Sequence, residues 1–342
     1  MRKLYFLLPG TGGKFACGGL WAELKTMRLA QQLCPAEVVT YRQREKDTLF
    51  LDDLLQSPPD DEAIFVLSWG FDVPKLIRQV GDRPAIYHAH SAGYGFSVPA
   101  RIPIITVSRN TLGYWGQRAP HSLIYYLPNE ISEEFCDRHL PRDIDVLVQA
   151  RKSSSYLLNQ LVPALKKECN VCVVDSYVED LAALFNRAKV YLYDSAEYWA
   201  LQRVSEGFGL QPLEAIACGC QVFSSVNGGL SDYLDPEFNC RKIAGYSTEF
   251  DIFRIKQVLE NGAQSGIQSG AQSSVDSARD YGFLQEYRKN NILQKLEMIL
   301  GEVNRFFDHQ KTYPSSILPL TKYRFIRLFL SKNFEKIKRR LH

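Results

Sequence analysis

No stretch of this 342-residue chain approaches the ~18 consecutive apolar residues needed to cross a bilayer, which argues against a membrane-spanning protein. The opening MRKLYFLLPG has two basic residues and an apolar run, but the run ends at Pro9-Gly10 after five residues. That is too short for the apolar region of a secretory signal, and it reads as a first buried strand. Zinc spacing is missing as well. Cys169 and Cys172 form a C-x-x-C set among Val171, Val173 and Val174, while Cys218 and Cys220 bracket Gly219. There is no second pair at metal spacing and no nearby histidine, so all eight cysteines read as reduced thiols of a cytoplasmic protein. Charge bias is absent too: 41 basic against 38 acidic residues leave a net +3, which selects no partner. Nothing in the chain resembles a groove-reading motif, so nucleic acid is not an expected ligand.

What is present belongs to an ordinary globular protein. With 45% hydrophobic and 23% charged residues the chain can build a core, and its length favours two domains over one. Short apolar runs at Leu4–Leu8, Glu37–Tyr41, Ile64–Leu67, Ala85–His88 and Ile104–Val107 are separated by helical or irregular segments. A second set follows at Ile144–Gln149, Val171–Val174, Val190–Tyr193 and Gln221–Ser224, with a helix at Leu181–Arg187. This alternation predicts an α/β fold with doubly wound parallel sheets.

In such sheets ligands bind beyond the carboxyl ends of the strands. After the first run comes a loop with Gly10, Gly12, Gly13, Gly18 and Gly19, and then a helix marked by Leu20, Trp21, Leu24, Met27 and Leu33. Main-chain amides there suit a phosphate, although the spacing fits neither G-x-G-x-x-G nor a Walker loop, and a tight turn explains it equally well. After the fourth run stands His88-Ala89-His90-Ser91-Ala92-Gly93; a metal would need a third ligand that H-x-H alone does not supply. After Ile144–Gln149 comes Ala150-Arg151-Lys152-Ser153-Ser154-Ser155, a basic pair leading into a helix and a reasonable diphosphate clamp. Tyr177 follows Val174 at a similar place, and Tyr198 and Trp199 lie in a link for which local packing is the simpler reading.

The chain is organised around Ser205–Gly229, SEGFGLQPLEAIACGCQVFSSVNGG. Glu206 and Glu214 lie on either side of a Gly-Phe-Gly bend, with seven residues between them. Pro212 suits the first position of a short helix and Gly219 its left-handed end, which puts Glu214 in the first turn. An acidic first turn is also plain dipole compensation.

The string closely resembles E-G-F-G-L-x-x-L-E-A-x-A-C-G, the signature of family-four retaining glycosyltransferases of group 1, over some twenty-five positions. That resemblance implies a GT-B architecture, with two Rossmann-like domains facing across a cleft. It implies a retaining transfer of sugar from a nucleotide-diphosphate sugar to a hydroxyl acceptor such as a polysaccharide, glycolipid or small glycoside. By resemblance Glu206 contacts the sugar hydroxyls, Glu214 the ribose hydroxyls, and the amides around Phe208, Gly209 and Leu210 hold the sugar. Gly18 and Gly19 face the donor phosphates, His90 or its neighbour His88 stands near the reactive carbon, and Tyr177 stacks on the base. Arg151 stabilises the departing diphosphate. The usual lysine five residues later is replaced by Tyr156, leaving Lys152 as a substitute. The usual glycine after Pro128-Asn129 is Glu130, and Asp232 stands where many relatives have glutamate. No metal and no cofactor beyond the donor are expected.

The expected domains are 1–140 on the acceptor side, 141–310 for the nucleotide sugar, and a basic helix over 311–342. Residues 261–277 form a Gly/Ala/Gln/Ser run that reads as a surface insert. From Ile317 to His342 eight basic residues face a single Glu335, with Leu330, Phe334, Ile337 and Leu341 at helical spacing. This helix is expected to pack back on the first domain, with peripheral contact to an anionic inner membrane face open. The rival readings are a catalytically degenerate sugar-nucleotide-binding scaffold and a sugar-nucleotide epimerase. A glycosidase fits poorly, because two glutamates on one loop and helix do not flank a bond.

Overall fold

The structure, a computed structural model, describes residues 1–58, 62–236, 238–243, 247–265 and 281–310. Met1–Leu300 form one compact unit and Gly301–His342 a second. The described part of the second is the end of the helix Lys289–Gln310. The expected basic helix over 311–342 and residues 266–277 of the Gly/Gln/Ser run lie outside the described residues. The start of that run is not an insert: the helix Thr248–Ser265 carries through it.

The first unit holds two parallel sheets. In chain order the first contains β1 (Lys3–Leu8), β2 (Ala36–Thr40), β3 (Leu49–Phe50), β4 (Ala63–Leu67), β5 (Ala85–Ala89), β6 (Ile104–Thr106) and β7 (Ile124–Tyr126). They lie side by side as β3-β2-β1-β4-β5-β6-β7. The second contains β8 (Ile144–Gln149), β9 (Val171–Val174), β10 (Ala188–Tyr193), β11 (Gln221–Ser224) and β12 (Cys240–Lys242), in the order β12-β11-β10-β8-β9. The alternation of the sequence is thus an α/β fold, and its longer runs became central strands. The expectation missed β3, β7 and β12. These have only two or three residues each, too few for a hydrophobic run to show.

Both faces of each sheet are covered, which is why the strands read as continuous apolar runs. In the second sheet Val146, Val148, Val190, Leu192 and Phe223 pack one core, while the alternate residues Leu147, Tyr191, Tyr193 and Val222 pack the other. In the first, Leu7, Leu67, Tyr87 and Trp115 pack against one face and Leu8, Leu20 and Leu24 against the other.

Each sheet has one place where chain order reverses, and there the loops on either side diverge to leave a crevice. In the first sheet it lies between β1 and β4, where the glycine loop emerges. In the second it lies between β8 and β10, where the turn carrying Arg151 and the segment from Asp194 emerge. These are the two positions at which the sequence placed ligand-binding loops.

Candidate active site

The loop leading into Glu206 is built against the loop after β5. Ser91 Oγ donates to the Ser205 carbonyl at 2.6 Å, Ser205 N–H donates to the Ala92 carbonyl at 3.0 Å, and Ala92 N–H donates to Ser205 Oγ at 3.2 Å. A methyl group on Gly207 would lie 1.5 Å from the His90 carbonyl oxygen, so only glycine permits this approach. Gly228, at φ +55°, and Gly229 close in behind. Gly229 N–H donates to the Glu206 carbonyl at 2.8 Å, and a Cβ at 229 would meet the Gly207 oxygen at 2.0 Å. A second link between the sheets is Asp232, whose carboxylate accepts the Arg109 N–H at 2.7 Å, at the start of the helix Arg109–Arg118.

Glu206 is buried, and one of its oxygens accepts from Tyr193 Oη at 2.6 Å and Trp199 Nε1 at 2.7 Å. Trp199 lies on the helix Ala196–Gln202, and Lys152 Nζ sits 4.6 Å from the centre of its ring. The aromatic link after β10 is therefore part of the Glu206 environment and not merely local packing. Lys152 reaches this position from a left-handed backbone, φ +69°.

Glu214 departs from expectation in register. The helix is Leu210–Ala217, so Pro212 is its third residue and Glu214 its fifth, two residues further in than predicted. Pro212 still costs no hydrogen bond, because amides of the first turn have no intrahelical partner. Gly209 (φ +78°) precedes the helix and Gly219 (φ +83°) follows it; the latter is the left-handed end the sequence indicated. Glu214 is buried, no hydrogen bond among the described residues reaches its carboxylate, and burial pushes its pKa up to about 7. Phe208 points into the core against Tyr233 and Tyr287, which leaves the backbone of Phe208-Gly209-Leu210 as the part able to meet a ligand.

His88 and His90 converge on a residue the sequence reading missed. Glu23 Oε2 lies 2.5 Å from His88 Nδ1 and 2.7 Å from His90 Nε2. His88 and Glu23 are each 2% exposed, His90 15%. Burial alone would raise the Glu23 pKa, but the two imidazoles hold it down to about 2; burial in turn lowers that of His90. Glu23 could have been noticed as a carboxylate on the apolar stripe of the helix Gly18–Ala30, three residues after Leu20 and four before Met27. It also supplies the third group that H-x-H lacked. Among the described residues these three alone bring ligand atoms within 4.8 Å of one another. The separations are those of hydrogen bonds, however; a cation held at ~2.0–2.1 Å would push the three atoms further apart.

Other predicted residues are placed as follows. Gly18 and Gly19 open the helix Gly18–Ala30, next to Cys17. Arg151 is exposed in the turn after β8. In that turn Ser154 N–H donates to the Asp194 carbonyl at 2.8 Å, and Ser155 N–H donates to the Glu197 carboxylate at 2.5 Å. Tyr156, in the place of the usual lysine, is buried and donates to Asp251 at 2.9 Å, so that position is structural. Tyr177 is 83% exposed beyond β9.

Two parallel sheets joined through a Gly-Phe-Gly loop with buried glutamates define a GT-B glycosyltransferase fold. Sucrose-phosphate synthase from Thermosynechococcus elongatus superposes with a TM-score of 0.59 at 14% identity, covering 89% of this chain and 99% of that one. Anabaena HepE in complex with UDP and glucose gives 0.61 at 16%, covering 88% and 100%. A glycosyltransferase from Rickettsia africae gives 0.60 at 9%, covering 88% and 98%. No curated protein sequence matches the chain. Residues 152–265 match the family model described as Glycosyl transferases group 1, so this part of the chain is a group 1 glycosyltransferase domain.

Proposed function

We propose that the chain transfers a sugar from a nucleotide-diphosphate sugar to a hydroxyl acceptor with retention of anomeric configuration. The observation that carries this reading is the buried Glu206, held by two donors on a loop that docks against the His90–Gly93 segment. HepE was solved with UDP, with UDP-glucose, and with UDP and glucose, which makes a uridine diphosphate sugar the first donor to try.

In this reading Glu206 and the Phe208-Gly209-Leu210 backbone hold the sugar, Glu214 takes the ribose hydroxyls, and Tyr177 covers the base. Arg151 and Lys152, with the amides at Gly18-Gly19 opposite, receive the diphosphate as its bond to the anomeric carbon breaks. The acceptor oxygen bonds to that carbon on the same face, and its proton passes to the departing phosphate. His90 stands beside the sugar. The fixed charge of Arg151 and Lys152 does the leaving-group work without a metal. Residues 1–140 form the acceptor side and 141–310 the donor side. The protein is cytoplasmic, and the basic segment 317–342 contacts an anionic membrane peripherally. Among the described residues no helix is long and apolar enough to cross a membrane.

The test is release of nucleoside diphosphate from a panel of nucleotide sugars, with Glu206→Ala and Arg151→Ala as controls. The absence of both turnover and a thermal shift with every nucleotide tried would overturn the reading. The structural role of Tyr156 favours one alternative, a scaffold that binds without turnover, and a thermal shift with no product would support it.

A further inference from the structure

The helix that follows the glycine loop and the histidines at the end of β5 meet at Glu23. An ionised carboxylate only accepts hydrogen bonds, so each nitrogen in contact with it must carry a proton. A neutral imidazole has one such proton. His88 therefore donates from Nδ1 and His90 from Nε2, both to the same oxygen. The other nitrogen of His88 is buried without a partner, as is the second oxygen of Glu23. His90 differs: its ring keeps 15% of its surface open, and no other residue is bonded to its Nδ1 among the described residues.

We infer that Glu23 is a positioning residue for His90, fixing the tautomer that presents a bare Nδ1 acceptor to a hydroxyl of the transferred sugar. The inference rests on the proposed transfer reaction for its consequence and on the geometry alone for the tautomer. The negative charge behind the ring makes Nδ1 a stronger acceptor, and it favours any positive charge that develops beside the ring as the sugar leaves. Glutamine at position 23 would weaken the arrangement. Its carbonyl oxygen can still accept from both histidines, but the negative charge behind the His90 ring is lost, and an NH2 group is buried where the unpartnered second oxygen of Glu23 now lies.

The two halves are tested separately. Long-range proton–nitrogen spectra of the full chain labelled with [15N]histidine, assigned with His88→Gln and His90→Gln, are expected to show His90 protonated at Nε2 and His88 at Nδ1. The opposite tautomer at His90 overturns the inference, and this arm uses the unmodified protein, so a poorly folding variant does not affect it. With UDP-glucose as the probe, Glu23→Gln is expected to lower kcat about 10- to 100-fold, less than the ~10²–10³ of losing a direct transition-state donor, with KM within threefold. Glu23→Asp should recover part of the loss. Glu23→Gln combined with His90→Ala should be no slower than His90→Ala alone, because one effect acts through the other. An unchanged kcat, or losses that multiply, would overturn the inference. If no nucleotide sugar turns over, the proposed reaction fails while the spectra still decide the tautomer.

Discussion

Glu214→Gln isolates the cost of burying a carboxylate in the Leu210–Ala217 helix. Burial raises this group from an ordinary value of 4.5 to about 7. The folded state therefore holds a proton that the unfolded chain has released anywhere between those two pH values. Where the folded state binds more protons, stability falls as pH rises. The window runs from about pH 4.5 to about pH 7. Below it both states are protonated, and above it both are ionised and the full cost remains. A shift of this size corresponds to on the order of 3 kcal/mol. The neutral amide has no such dependence, so wild type should lose roughly 5 °C in Tm relative to Glu214→Gln between pH 4.5 and 8. Paired thermal denaturation curves at half-unit pH steps measure the difference directly. A difference that stays flat across the window would refute a buried, protonated Glu214. Addition of UDP at pH 6.5 extends the test. Ribose hydroxyls donating to the carboxylate favour its ionised form, so binding should release a proton, detectable by calorimetry in buffers of different ionisation enthalpy.

Other outcomes follow from specific contacts. Gly207→Ala should lower turnover by more than ~10²-fold, because its methyl would overlap the His90 carbonyl and separate the two loops; activity within threefold of wild type would show that they need not meet. Tyr193→Phe removes one of the two donors to Glu206 and should cost ~1–3 kcal/mol of stability in denaturant titration. Glu197→Ala frees the Ser155 amide and removes a negative charge from the turn after β8, so UDP should bind several-fold more tightly by calorimetry; weaker binding would place the diphosphate elsewhere. Arg142 bonds the carbonyls of Phe185, Ala188 and Cys218, so Arg142→Ala should cost ~3 kcal/mol, and lysine, lacking the planar fork, should restore little of it.

The fold was readable where sequence and physics coincide. Strands such as Ile144–Gln149 and Val171–Val174 are apolar runs because both sheet faces are covered, and β8 and β9 have those same limits. Gly219 could be read because a left-handed helix end has a residue preference. What could not be read depends on distant parts of the chain. Glu23 lies 65 residues from His88, and only the sheet order brings them together. Trp199 looked like filler because its partner, Glu206, is reached by its indole N–H after the chain turns back. The displacement of Glu214 by two residues came from the helix starting before Pro212, at Leu210, which the proline alone did not reveal.

The pairing of Ser91 and Ala92 with Ser205 bears on timing. Its three hydrogen bonds and the Asp232 contact to Arg109 span the two sheets, each worth ~1 kcal/mol net. Parting the sheets at this seam would then cost about 4 kcal/mol, leaving roughly one molecule in a thousand open at any moment. A spent nucleotide enclosed there would wait for that rare opening, and the seam rather than bond breaking would set the pace of turnover. Ser205→Ala, which removes one of these links and touches no ligand in the proposed scheme, would then make a faster enzyme.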